Sequence, residues 1–100
     1  MSEPKLARTV TVVNREGVHA RAATLVAGTV RRFQSKVELI KSRHRVDGTD
    51  VLQILSLGAA EGEELQLEAA GPDAAAALDA LVELFRGKFG ENAEADKQEK

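Results

Sequence analysis

Gly17, Val18, His19, Ala20, Arg21, Ala22 and Ala23 follow one another in this chain. A glycine turn delivers a histidine to the expected first turn of a helix, with an arginine two residues on. A helix start presents unpaired backbone N–H groups and the positive end of the helix dipole, and together these favour an anion. A neutral imidazole is a nucleophile. Set there, it has the means to take a phosphoryl group covalently, while Arg21 and the N–H groups of Ala20, Arg21 and Ala22 stabilise the added charge. The plainer alternative makes His19 a polar helix-start residue and Arg21 a solvated surface charge. Gly17 on one side and an arginine, with its planar fork, on the other are what the chemical reading needs. Glu16 adjoins the segment, but its charge opposes a phosphate, so it receives no catalytic role.

The composition narrows what else the chain can do. One hundred residues, 43% hydrophobic and 30% charged, make one small globular domain. The net charge is −2 and only three residues are aromatic, all Phe. Neither a basic footprint nor a stacking platform for nucleic acid is therefore expected, and an anionic membrane surface is equally unsuited. Cysteine is absent, which excludes disulfides and thiolate chemistry. Two histidines without suitably spaced partners point to no metal site, and no cofactor is expected. No apolar run approaches membrane-spanning length, and the opening MSEPKLAR lacks the apolar stretch of a signal peptide, so a cytoplasmic location is expected.

The elements that must position His19 are legible from periodicity. Residues 1–6 read as loose. Arg8 to Val13 is β-branched and reads as a strand, with Val10 and Val12 on one face. Ala22, Val26, Val30 and Phe33 recur at helical spacing over 20–33. Lys36 to Lys41 alternates as a half-buried strand with Val37 and Leu39 inward. Ser42–His44 reads as a hairpin turn, in which His44 is a solvated residue, and Arg45–Val46 as a short return. Thr49 or Asp50 caps a short helix over Val51–Leu57, with Gln53 completing a capping-box pattern. Leu65 to Ala69 alternates again. Gly71-Pro72-Asp73 starts a last helix, Ala74 to Lys88, with Pro72 in its first turn and Ala77, Leu78, Leu81, Phe85 and Phe89 in one stripe. The order is β-α-β-β-α-β-α, an α+β domain over 1–91 with three helices on one face of one sheet. Glu91 to Lys100 reads as a disordered charged tail.

With this order in hand, the chain resembles the HPr family of histidine-containing phosphocarriers of the bacterial phosphotransferase system. The likeness rests on NREGVHARAA at the first helix, VDGTDVLQILSLGAAEG at the second and AAGPDAAAALDALVELF at the third. It runs from about Arg8 to Glu91. It implies an HPr-like open-faced sandwich, with a four-stranded antiparallel sheet backed by three helices. It adds to the chemical reading of the first segment, and implies that His19 accepts a phosphoryl group on Nδ1 from Enzyme I and donates it to a histidine of an Enzyme IIA domain, with Arg21 contacting the phosphate. Such a protein is a monomeric relay rather than an enzyme.

Two positions depart from the family pattern. Ala22 stands where the family usually has proline, which adds a backbone donor and keeps an excellent helix former. Asp50 stands at the position of the regulatory serine found in many members. It reads either as a plain N-cap or as a fixed negative charge in place of phosphoserine. The latter motivates an alternative function, a regulatory paralogue that docks to a transcriptional regulator or an enzyme. Of Val51, Leu52 and Leu55 on the short second helix, some belong to the core by default, and Val51 and Leu52 are the foremost candidates for a partner surface. The resemblance implies that apolar residues here dock Enzyme I and Enzyme IIA.

Overall fold

The computed structural model describes residues 5–90. Strand β1 covers Lys5–Thr11, α1 Ala20–Val30, β2 Lys36–Lys41, β3 His44–Asp47, α2 Val51–Ser56, β4 Glu64–Ala70 and α3 Ala74–Arg86, followed by a 3-10 turn at Lys88–Gly90. The strands form one sheet in the order β1-β4-β2-β3, with every neighbouring pair antiparallel. This is the expected open-faced sandwich. Its inner face carries Val10, Val37, Leu39, Val46, Leu65, Leu67 and Ala69, all buried. The helices cover that face with Ala22, Ala23, Val26, Ala27 and Val30 of α1, Ile54 of α2, and Ala77, Leu78, Leu81 and Phe85 of α3.

The opposite sheet face is held by charge. Glu38 and Glu68 lie directly across β2 and β4 from each other. Like charges so placed repel. Arg45 Nη1 resolves this by donating to both carboxylates, 2.8 Å to Glu38 and 2.6 Å to Glu68. Lys5 adds a longer ion pair to Glu68 at 3.5 Å. Arg45 accordingly holds the Glu68 carboxyl below its ordinary pKa.

Several element ends differ from the sequence reading. Strand β1 begins at Lys5, so Lys5 and Leu6 are not loose: they pair with Ala70 and Ala69. Helix α1 stops at Val30, and the chain leaves it through two tight turns, Arg32 N–H to Thr29 O and Phe33 N–H to Val30 O, each 3.1 Å. Phe33 keeps its place against the core without being helical. Pro72 lies ahead of α3 rather than in its first turn, because Asp73 is the N-cap. α3 ends at Arg86, and Lys88 and Phe89 turn left-handed with φ of 57° and 56°. That turn returns the Phe89 ring edge-on to Phe85, with centroids 4.9 Å apart. The tail beyond residue 90 lies outside the described residues.

Asp73 does not cap α3 with its side chain. Its carboxylate reaches the turn after α1, where it accepts the Gln34 N–H at 2.9–3.0 Å and the Ser35 hydroxyl at 2.6 Å. The Ser35 hydroxyl first, and then the Gln34 N–H, hold its carboxyl below the ordinary carboxylate range. A depressed folded pKa stabilises the fold above the unfolded pKa, about 3.9, and the benefit disappears as pH falls through the folded value. Asp73→Asn is therefore expected to be less stable than the parent at pH 7, with the gap closing below about pH 4. Urea unfolding at both pH values checks this.

Candidate functional site

Val12 to His19 carry the chain from β1 to α1, and the route is fixed by hydrogen bonds. Buried Asn14 donates from Nδ2 to the Gly17 carbonyl at 2.7 Å, and the Gly17 N–H returns to the Asn14 carbonyl at 3.1 Å. Gly17 has φ +70° and lies on the segment after α2, where an added Cβ would fall 2.5 Å from the Ala59 carbonyl oxygen. That same oxygen accepts the Val18 N–H at 3.0 Å. The residue next to His19 is thus pinned to Ala59, forty-one positions on, and at Gly17 only glycine fits against that segment.

His19 is the N-cap of α1, one residue ahead of the first turn in which the sequence reading set it. Its backbone is extended, at φ −89° and ψ −174°, and it is half-buried. The imidazole does not cap the helix. Its carbonyl accepts the first intrahelical bond, from the Ala23 N–H at 2.8 Å. The amides of Ala20, Arg21 and Ala22 precede that bond and so belong to the orphan donors of a helix start. No acidic residue occupies the first turn, so nothing there offsets the positive end of the dipole. Ala20 and Arg21 are exposed, while the Ala22 side chain is packed in the core. Among the described residues, the Arg21 guanidinium makes no ion pair, which leaves it available to an incoming anion.

The neighbouring helix α2 packs beside α1. Its Asp50 uses both carboxylate oxygens locally: one accepts the Gln53 N–H at 3.1 Å and the other the Gln53 Nε2 at 3.2 Å. Gln53 Oε1 does not close a strict capping box. It accepts the Asp47 N–H instead, at 3.1 Å. The geometry is that of an N-cap. Asp50→Ala is expected to cost about 1 kcal/mol, whereas Asp50→Ser, which retains a capping oxygen, is expected to stay within a few tenths. Chemical denaturation of the two variants separates them. Of the three apolar candidates on α2, Val51 and Leu55 are half-buried against the core and Leu52 is 77% exposed.

His44 is an exposed member of β3, paired with Lys41, and takes no part in this site. Asn14 to Gly17 reads from sequence as a turn and is one, whereas Ala59, Lys41 and Glu63 carry no such signal. The role of Ala59 depends on main-chain atoms brought together by the tertiary fold, for which no local pattern exists. Among the described residues no cluster of three or more potential metal ligands occurs, and no helix is long and apolar enough to cross a membrane.

Comparison with known proteins matches this architecture closely. A family model described as the phosphorylation site of the HPr component of the phosphotransferase system covers residues 6–87. The phosphocarrier protein HPr of Treponema pallidum is 43% identical over 84 residues, which span 84% of this chain and 96% of that one. The phosphocarrier protein NPr of Shewanella violacea is 38% identical over 87% of this chain and 96% of its own length. Among solved structures, HPr-C-His from Thermoanaerobacter tengcongensis superposes with a TM-score of 0.84 at 35% identity, covering 88% of this chain and 99% of that one.

Proposed function

The chain belongs to the HPr family of phosphocarriers, and from that premise we propose that His19 is its phosphoryl acceptor and donor. A carrier of this family relays a group and does not turn over a substrate. The imidazole lone pair attacks phosphorus, the P–N bond forms, and the bond from phosphorus to the donor breaks with its electron pair leaving on the donor. Transfer onward repeats the exchange in the opposite sense. The donor is an Enzyme I charged by phosphoenolpyruvate and the acceptor is a histidine of an Enzyme IIA domain. The carrier acts as a cytoplasmic monomer.

The observation that carries this reading is the presentation of His19 as an uncapping N-cap residue, with Val18 tied at 3.0 Å to the Ala59 carbonyl. A phosphoryl group on the ring lies by a helix start free of first-turn acids. The Ala20, Arg21 and Ala22 amides and the Arg21 fork are then the groups that steady its negative charge. Helix-end effects of this kind contribute about 0.3–1 kcal/mol each, enough to favour transfer without trapping the phosphate. Leu52, on the same short helix as half-buried Val51 and Leu55, supplies an apolar spot on the helix packed beside α1 for transient partner docking. One oxygen of Asp50 caps α2 and the other accepts from the Gln53 side-chain amide, which favours the plain cap over a stand-in for phosphoserine.

The test is incubation with Enzyme I and phosphoenolpyruvate. Acid-labile, base-stable phosphate on His19 supports the relay, and an intact protein that gains none refutes it.

A further inference from the structure

We propose that Lys41 and Glu63 are positioning residues for His19, acting through the Ala59–Ala60 segment. The inference rests on the phosphoryl-relay reading above and adds to it two residues remote in sequence. Lys41 ends β2 and spends all three ammonium donors on one region. It donates to the Leu57 carbonyl at 3.1 Å and the Gly58 carbonyl at 3.2 Å, and pairs with Glu63 Oε1 at 2.9 Å. The same Glu63 oxygen accepts the Ala60 N–H at 2.8 Å. One ion pair thus grips the last carbonyls of the α2 segment and the main chain at Ala60.

The next atoms along are those that hold the acceptor loop. The Ala59 carbonyl adjoins Ala60, accepts the Val18 N–H, and forms the floor under Gly17. Two further bonds, Val12 N–H to Glu63 O at 2.9 Å and Gly62 N–H to Val12 O at 2.7 Å, tie the start of the same loop to the same segment. A shift of Ala59 is therefore passed to Val18 and to the cap that precedes α1. Neither Lys41 nor Glu63 belongs to α1 or flanks His19 in sequence. Their effect on the imidazole passes through Ala59, because the main chain they hold at Gly58 and Ala60 flanks the carbonyl that accepts the Val18 N–H. The lowered pKa of Glu63, caused first by the Ala60 N–H and then by Lys41, agrees with a carboxylate held in its charged form by these two partners.

The experiment compares Glu63→Ala, Glu63→Gln and Lys41→Met with the parent at a temperature where all are folded. It reads steady-state phosphoryl acceptance from Enzyme I, the half-life of the phosphohistidine, and the Val18 and His19 amide chemical shifts. Glu63→Ala and Lys41→Met are expected to lower kcat by about tenfold with little change in KM, since misplacement of a reacting group costs rate rather than docking. Their amide shifts move and the phosphohistidine half-life changes. Glu63→Gln keeps an oxygen for the Ala60 N–H and is expected to stay within about twofold of the parent. A lower Tm for Glu63→Ala and Lys41→Met with unchanged kcat, half-life and Val18 shift overturns the proposal and leaves the pair a purely structural one. If the parent itself takes no phosphate, the relay reading fails instead, and the Val18 shift alone still decides whether the pair positions the loop.

Discussion

Replacing His19 by Ala is expected to abolish phosphate uptake altogether while leaving the fold intact. Among the described residues the ring is the one imidazole at the start of α1, and it does not cap the helix. Its removal leaves the Ala23-to-His19 bond in place, because that bond uses the main-chain carbonyl. Stability is expected to change by about 1 kcal/mol or less. The second histidine offers no substitute: His44 is an exposed strand residue next to the β2–β3 turn, with no helix start at its side. Radiolabelled transfer from Enzyme I, read against a thermal melt of the same sample, checks both halves. Residual labelling of the variant at the parent level moves the acceptor elsewhere and removes the basis of the relay.

The second large effect is expected from Gly17→Ala. At φ +70° the alanine incurs the left-handed penalty of about 1–2 kcal/mol. It also sets a Cβ 2.5 Å from the Ala59 oxygen and 3.1 Å from the Ala60 Cα, both main-chain atoms that cannot rotate aside. Overpacking of this kind adds about 1–3 kcal/mol, so a Tm drop of about 10 °C or more is expected. The loop must lift from Ala59, and the Val18 bond goes with it. Transfer is then expected to fall about 100-fold even where the variant is fully folded. Gly58→Ala is the control. It has φ +60° but nothing within 4 Å of the added Cβ. It therefore carries the conformational penalty alone, and its transfer rate is expected to stay near that of the parent.

The sequence made the order of elements legible because each amphipathic segment carries its own period. β2 with its inward pair Val37 and Leu39 is legible in this way, as is the stripe from Ala77 to Phe85, and of the two cap candidates Thr49 and Asp50 the structure uses Asp50. The ends were harder. Lys5 and Leu6 look unstructured alone and become strand only because β4 provides Ala70 and Ala69 opposite them. Phe33 and Phe89 continue an apolar stripe that the helix itself does not continue, since a turn can deliver a ring to the core as well as a helix can. At the site, Gly17, His19 and Arg21 stood out by type and spacing, whereas the assignment of a phosphocarrier role came from family resemblance. The floor beneath them did not stand out. Ala59 contributes a carbonyl, which every residue has, and Lys41 and Glu63 are twenty-two positions apart with no shared period.

The position of β1 at the sheet edge bears on how the protein is made. β1 has a single neighbour, β4, and its first residue pairs with Ala70. During synthesis the N-terminal strand has nothing to pair with until most of the domain has left the ribosome. Closing so long a loop is entropically costly and slows folding relative to local helix formation. The partners of Val12 and Val18, which are Ala59, Gly62 and Glu63, lie just ahead of β4. A nascent chain ending before Ala59 therefore contains His19 but neither these anchors nor β4, so phosphate uptake is expected only once residues 59–70 have emerged.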